Sequence, residues 1–183
     1  MISRIWRSPF ALFKSGLQLG LPLGLILPVW LHPGLMQVGW FGDRHNSFFD
    51  TPRRILLETR RCPRCNLAHV NLPNANLPAA DLTAANLEEA NLSGANLQDA
   101  SFRYADLENI NLQGANLQDA SFREANLEDA DLRGANLQSA YLAGANLAGA
   151  NLSGATLSLV NLDNGLYCNT TMPDGSLRND HCD

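Results

Sequence analysis

The amino-acid sequence predicts an all-β solenoid, in which short extended segments are wound into a stack of square coils. Two repeating patterns carry this prediction. From Leu67 to Leu162, every fifth residue is Leu or Phe over 20 consecutive steps. Residues 93–112 and 113–132 are also identical at 14 of 20 positions, which indicates a larger repeat built from four of the smaller five-residue units.

The period of five excludes a helical repeat. An α-helix turns by about 100° per residue, so leucines five residues apart would spiral around all of its sides. In an extended chain, residues two apart point the same way. A small residue, Ala in 16 of the 20 units, stands two positions before each Leu or Phe. Each unit therefore sends one small and one large apolar side chain inward and then turns.

The repeat tract, residues 65–164, has a composition unlike that of a globular core, because Ala, Leu and Asn fill 56 of its 100 positions. If the four units of the larger repeat form the four sides of one coil, the tract makes about five coils in a stack about 24 Å tall. Phe102 and Phe122 are separated by one larger repeat, so we expect their rings to stack. We expect the Asn or Asp that precedes most of the leucines to hydrogen-bond to turn backbone.

The N-terminal segment, residues 1–42, has the features of a signal peptide or membrane anchor. Three basic residues lie in the first 14 positions, and the run from Ser15 to Gly42 contains no Lys, Arg, Asp or Glu. Residues 16–31 are the most apolar part and could associate with a membrane, although they are shorter than the roughly 20 residues of a spanning helix. The alternative is an apolar flap that packs against the N-terminal cap.

Residues 43–64 are predicted to form a linker and an N-terminal capping helix. Asp50-Thr51-Pro52 is typical of a helix start, with proline in the first turn. A solenoid needs such a cap because its terminal coil would otherwise expose an apolar face. The residues expected to cover the first coil are Ile55, Leu56 and Leu57.

Residues 165–183 depart from the repeat and are predicted to form a C-terminal capping loop. Met172-Pro173-Asp174-Gly175 indicates a tight turn. This loop is expected to be closed by a disulfide.

Four cysteines lie at the two ends of the predicted stack: Cys62, Cys65, Cys168 and Cys182. A disulfide needs Cα atoms within about 7 Å, which excludes bonds across a stack about 24 Å tall. The pairs Cys62–Cys65 and Cys168–Cys182 remain, and they agree with an oxidising compartment. The competing interpretation of Cys62-Pro63-Arg64-Cys65 is a redox or metal motif with His69, for which the sequence offers no fourth metal ligand.

The units resemble the pentapeptide repeat family, whose repeat reads approximately A(N/D)LXX, over residues 65–164. The resemblance implies a right-handed quadrilateral β-helix with the Leu or Phe and the preceding small residue inside. The Arg-Cys-x-x-Cys-Asn-Leu entrance and the Tyr-Cys-Asn-Thr-Thr-Met-Pro-Asp-Gly tail are similar to exported cyanobacterial members. That likeness implies the periplasm or the thylakoid lumen as the location.

Charge is distributed unevenly along the chain. Residues 1–64 carry a net charge of +6 and residues 65–164 carry −9, which excludes a basic nucleic-acid-binding surface on the repeats. A coil of four units stacks several carboxylates as a candidate interaction stripe: Glu88, Glu89, Glu108, Glu128 and Asp129. Arg103 and Arg123 fall on the preceding side, where we expect them to balance part of this charge. The stripe is either a solvated surface or a docking site for a basic partner.

Nothing in the sequence indicates catalysis. The four histidines lie outside the later coils, and no phosphate-binding glycine loop or nucleophile set stands at a recognisable spacing. No cofactor or metal is expected either.

The sequence therefore predicts a non-catalytic scaffold outside the cytoplasm that presents one face to an unidentified protein partner. The alternative is a cytosolic DNA mimic that binds a type II topoisomerase, an activity that the family resemblance brings with it.

Overall fold

A computed structural model describes residues 51–180 and 182; the predicted export segment, residues 1–42, lies outside them. Helix α1 comprises Thr51–Thr59. Strands β1, Thr170–Thr171, and β2, Leu177–Arg178, form an antiparallel pair near the C-terminus. Between α1 and β1 the chain makes isolated parallel bridges, and each bridge joins residues 20 positions apart.

Helix α1 packs one of its three consecutive apolar residues into the core. Leu56 is fully buried, whereas Ile55 and Leu57 are 39% and 42% exposed. Neighbouring helical residues point about 100° apart, so a helix lying on a surface buries one of three. The prediction that all three would cover the first coil is wrong for Ile55 and Leu57. The helix ends where Arg60 turns into the left-handed region, with φ of 56°.

Each coil is hydrogen-bonded to the next along all four sides. On one side, the Leu87 amide donates to the Asp106 carbonyl at 2.7 Å, and the Asp106 amide donates to the Ala85 carbonyl at 2.9 Å. The bridges extend from Arg61–Asp81 to Asn151–Thr171. The backbone register therefore confirms the coil of four units that the internal repeat predicts.

At the corners between the sides, the backbone adopts the left-handed conformation. The second residue after each inward Leu has a positive φ, such as 53° at Glu89 and 66° at Gly94. Asn and Asp side chains brace these turns, as predicted: Asn91 Oδ1 accepts a hydrogen bond from the Ser93 amide at 3.1 Å. Asparagines also bond between coils, with Asn96 Nδ2 donating to Asn76 Oδ1 at 2.9 Å.

The core is a narrow column of leucine, alanine and two phenylalanines. The inward leucines from Leu77 to Leu152 are at most 1% exposed. The rings of Phe102 and Phe122 stack with centroids 4.8 Å apart and planes 4° apart, which confirms the predicted stacking.

The coil register continues beyond both ends of the predicted tract. Cys62 occupies an inward position one unit before Leu67 and is 1% exposed. At the other end, Tyr167 is 1% exposed and Thr170 is fully buried. Gly165 and Thr170 keep the small inward position, so the period of five persists where the Asn-Leu signature is lost.

The β1–β2 hairpin closes the C-terminal end. A turn joins its strands, with the Met172 amide donating to the Ser176 carbonyl at 2.8 Å. The Arg178 guanidinium lies 3.6 Å from the centroid of the Tyr167 ring, a cation–π contact. Within residues 51–180 and 182, no helix is both long and apolar enough to cross a bilayer.

Candidate interaction surface

The acidic stripe, defined as Glu88, Glu89, Glu108, Glu128 and Asp129, lies along one side of the stack. The bridges Asn86–Asp106 and Asp106–Asn126 place Glu88, Glu108 and Glu128 in successive coils. The Glu89 amide donates to the Glu108 carbonyl at 2.9 Å, and the Asn109 amide donates to the Glu128 carbonyl at 2.9 Å. The carboxylates are therefore carried on a hydrogen-bonded backbone, one strand spacing apart.

Local turns fix the backbone that carries these glutamates. Asn86 Oδ1 accepts from the Glu88 amide at 2.9 Å, and Asp106 Oδ1 accepts from the Glu108 amide at 3.3 Å. In the last of these coils, the Glu128 carboxylate accepts from Asn146 Nδ2 at 3.2 Å. The sequence dictates the turn bonds, because Asn or Asp precedes each of these inward leucines by one position.

The stripe perturbs its central carboxylate. Desolvation raises the pKa of the Glu108 carboxyl above its ordinary value, and nearby negative charges raise this pKa further. The charges belong, in decreasing order of effect, to Glu128, Asp106, Glu88 and Asp129. Ionisation of Glu108 at neutral pH therefore works against the fold at this position.

A histidine neighbour of the stripe was missed by sequence reasoning. His69 Nδ1 lies 3.1 Å from a carboxylate oxygen of Glu89, and both side chains are more than half exposed. The signal that would have found this pair is the coil length, which puts His69 directly one coil before Glu89. The His69 side chain therefore contacts a surface carboxylate of the next coil.

The arginines expected to balance the stripe do not contact its carboxylates directly. Within the described part of the chain, neither Arg103 nor Arg123 forms an ion pair with the stripe. The Arg103 guanidinium instead lies 5.7 Å from the centroid of the exposed Tyr104 ring. The arginine therefore contacts the ring of its own corner rather than a carboxylate of the stripe.

Asp129 closes over a glycine of the following coil. Gly149 has φ of +71°, and a Cβ atom built there would collide with Asp129 Oδ1 and lie 3.0 Å from Asp129 Cγ. The backbone angle alone does not require glycine, since Glu89 has φ of 53° at another corner; a side chain at position 149 would instead have to displace the Asp129 carboxylate.

The cysteines lie at the two ends of the stack. The structure pairs Cys62 with Cys65 and Cys168 with Cys182, with Cα–Cα distances of 5.4 and 4.9 Å. Both distances are suitable for a disulfide. Among the described residues, no group of three or more His, Cys, Asp or Glu side chains could hold a metal ion.

Two open depressions lie beside the first coils. One, of about 430 Å³, is lined in part by Arg53 and His69; the other, of about 620 Å³, is lined in part by Arg64 and Tyr104. Neither contains a residue of the acidic stripe.

The solved structures that match this chain include two cyanobacterial proteins. HetL, a pentapeptide repeat protein involved in heterocyst differentiation regulation from Nostoc sp. strain PCC 7120, is 33% identical, with a TM-score of 0.48. The match covers 64% of this chain and 62% of HetL, so the chain spans less than two thirds of that protein. Rfr23 from Cyanothece 51142 is 31% identical over 63% of this chain and 92% of its own, with a TM-score of 0.43.

A third solved structure is more distant. QnrB1, a plasmid-mediated fluoroquinolone resistance protein, is 22% identical over 58% of this chain and 70% of its own, with a TM-score of 0.30. No curated protein matches the sequence.

The family match covers most of the coiled region. The family described as pentapeptide repeats matches residues 62–99, 100–138 and 125–164, in 8 copies. These residues make up more than half of the chain, and they begin at Cys62, where the coil register also begins. The chain belongs to the pentapeptide repeat family, whose members fold as right-handed quadrilateral β-helices.

Proposed function

We propose that this protein is a rigid, non-catalytic scaffold that docks a basic surface of a protein partner on its acidic stripe. The observation that carries the proposal is the stacking of Glu88, Glu108 and Glu128 in successive coils without an arginine partner among the described residues. A column of carboxylates held on fixed backbone is complementary to a column of lysines or arginines.

The energetics of the stripe favour binding over a purely solvating role. Like charges one strand spacing apart repel each other; desolvation is the largest cause of the raised pKa of Glu108, and this repulsion raises that pKa further. A basic partner removes the repulsion when it binds, so part of the unfavourable energy of the free stripe becomes favourable energy of the complex. Rigid coils also reduce the entropy that docking must overcome.

We also propose an architecture and a cellular location for this scaffold. The stack has about five coils over residues 65–164, with α1 as the N-terminal cap and residues 165–183 as the C-terminal cap. Residues 1–42 export or anchor the chain, with residues 16–31 as the membrane-associating part. The scaffold then resides in the periplasm or the thylakoid lumen, where disulfides are stable.

Neutralising three glutamates tests the docking surface. We expect Glu88→Gln, Glu108→Gln and Glu128→Gln together to weaken capture of a partner about tenfold, because three exposed charge pairs each contribute about 0.5 kcal/mol. Added salt should narrow the difference from the wild type. The measurement is the dissociation constant for an arginine-rich peptide and for proteins captured from the source compartment, over a series of salt concentrations.

The same triple variant should be at least as stable as the wild type at neutral pH. The pKa of Glu108 is raised in the fold, so its stabilising contribution is present in acid and is lost as pH rises through that pKa. Glutamine removes the repulsion at neutral pH, and the gain should fade as pH falls through the carboxyl range. Thermal unfolding over a pH series measures this.

A matched pair of variants separates the stripe from net charge. Glu108→Gln with Glu128→Gln removes two charges from the stripe, and Asp99→Asn with Asp119→Asn removes two charges on another side, also one coil apart. Equal loss of capture in both pairs, or unchanged capture by the folded triple variant, would reject the stripe as the docking surface.

The cysteines test the location. We expect mass mapping of protein recovered from its native compartment to find Cys62–Cys65 and Cys168–Cys182 linkages. In the chain-entropy model, a loop of about 15 residues closed by a disulfide adds about 3 kcal/mol, so Cys168→Ser with Cys182→Ser should loosen the C-terminal hairpin first. Protease sensitivity near Arg178 reports that loosening. Four free thiols in the native protein would contradict the location.

The alternative function is a cytosolic DNA mimic that binds a type II topoisomerase. The net charge of −9 on residues 65–164 favours it. A reporter fused to the C-terminus and active only outside the cytoplasm distinguishes the two functions. An inactive reporter together with inhibition of a purified topoisomerase would establish the alternative.

A further inference from the structure

We propose that Asn164 is a site of spontaneous backbone modification, through attack of the Gly165 amide nitrogen on the Asn164 side chain. Asn164-Gly165 is the one Asn-Gly pair in the sequence. Glycine has no side chain to hinder the approach of its own nitrogen to the neighbouring amide carbon. The structure adds a second reason, which concerns the hydrogen bonding of that nitrogen.

At a regular corner, the backbone amide equivalent to that of Gly165 is hydrogen-bonded. The residue after the left-handed corner donates its amide to the carbonyl of the inward residue three positions earlier. Ala75 donates to the Leu72 carbonyl at 3.3 Å, and Ile110 donates to the Leu107 carbonyl at 3.1 Å. An amide held in this way must break a hydrogen bond before it can react.

The corner at Asn164 lacks this bond. The Leu162 carbonyl, which is the equivalent acceptor, receives the Tyr167 hydroxyl at 2.9 Å. Within the described part of the chain, the Gly165 amide makes no hydrogen bond. Asn164 itself is exposed and has φ of 55°, the same left-handed conformation as the other corners. Its side chain is therefore open to solvent. It lies beside the Gly165 amide, which makes no hydrogen bond and becomes the nucleophile when it loses its proton.

The one aspartate that directly precedes a described glycine shows the contrast. At Asp174-Gly175, the Gly175 amide donates to the Met172 carbonyl at 2.9 Å. The Asp174 carboxylate accepts hydrogen bonds from the Ser176 amide at 2.9 Å and from the Ser176 hydroxyl at 2.6 Å. Both reacting groups of that pair are occupied.

The chemistry needs water and no other reagent. The Gly165 nitrogen loses its proton and bonds to Asn164 Cγ, and the bond from Cγ to the side-chain nitrogen breaks, so that ammonia leaves and a five-membered imide remains. Water then opens the imide at either carbonyl. One product is aspartate, and the other is isoaspartate, in which the backbone runs through the former side chain.

The position of this corner gives the modification a structural consequence. Two residues later, the Leu166 amide donates to the Ala145 carbonyl at 2.9 Å, and the Leu166 carbonyl accepts from the Leu147 amide at 2.9 Å. Isoaspartate inserts one additional backbone carbon just before this pairing and adds a negative charge next to Asp163. The modification therefore acts on the junction between the last coil and the C-terminal hairpin.

Ageing of the folded, disulfide-bonded full chain tests the proposal. After incubation at neutral to mildly alkaline pH, peptide mapping with an isoaspartate-specific methyltransferase quantifies conversion at each asparagine. We expect Asn164 to convert at least about tenfold faster than Asn74 and Asn109, which is about 1.4 kcal/mol in activation free energy. These two corners share its left-handed φ, at 57° and 55°. Conversion at Asn164 no faster than at Asn109 would overturn the proposal.

Two variants separate the sequence effect from the structural one. Ala75→Gly creates an Asn-Gly pair at a corner where the amide keeps its partner, so Asn74 in this variant should still convert more slowly than Asn164. Equal rates would show that the free amide has no role. Asn164→Gly should abolish ammonia release at position 164. It should not unfold the protein, because glycine already occupies the equivalent corner at Gly144.

Discussion

Phe122→Ala is expected to lower the free energy of unfolding by about 3 to 5 kcal/mol, the usual range for deleting a buried aromatic ring. Phe122 is fully buried and stacks on Phe102 with ring centroids 4.8 Å apart. The coils on both sides are hydrogen-bonded to the coil that carries Phe122, and these bonds hold the backbone away from the space that the ring would leave. Equilibrium unfolding in denaturant measures the loss.

Phe122→Leu is the matched control for this prediction. Leu82 and Leu142 occupy the same inward position in other coils, and both are fully buried. Leucine should therefore restore most of the stability, with the lost ring contact accounting for about 1 kcal/mol. If the alanine and leucine variants unfolded at the same denaturant concentration, the phenylalanine column would not be part of the core.

Ala115→Phe is expected to disrupt the stack from the small inward position. Ala115 is fully buried, and it lies between Ala95 and Ala135 in the neighbouring coils, which are fully buried too. The coils are joined by short bonds, including one from the Asn136 amide to the Ala115 carbonyl at 2.9 Å. A phenyl ring has no void to enter and must push coils apart, which costs about 3 kcal/mol or more. Circular dichroism and thermal unfolding report the loss.

Gln118→Lys is the control for the overpacked variant. Gln118 points outward, and its side-chain amide donates to an Asp119 carboxylate oxygen at 3.1 Å. A lysine there keeps a favourable neighbour and stays in solvent, so its effect should lie within about 0.5 kcal/mol. If Gln118→Lys destabilised the fold as much as Ala115→Phe, the assignment of inward and outward positions would be wrong.

The acidic stripe was predictable because backbone periodicity alone sets which residues share a side. Once four units close a coil, Glu88, Glu108 and Glu128 must fall in line, whatever their side chains do. The interactions of those side chains were not predictable. Arg103 was expected to balance the stripe and instead lies over Tyr104, and His69 was considered as a metal ligand and instead contacts Glu89. An exposed side chain has several rotamers of similar energy. Its partner therefore depends on which side chains lie near it in the folded structure, and the sequence does not specify this.

The sequence by itself determined the coil, its period and its inward residues, because a five-residue rule repeated 20 times leaves one way to bury the leucines. The tertiary structure alone decided the ends. It selected Leu56 over Ile55 and Leu57, carried the register on to Tyr167, and left the Gly165 amide without the bond that the preceding corners make. At an end, the next coil is replaced by a helix or a hairpin, so burial and hydrogen bonding there depend on how unlike elements pack rather than on a repeated rule.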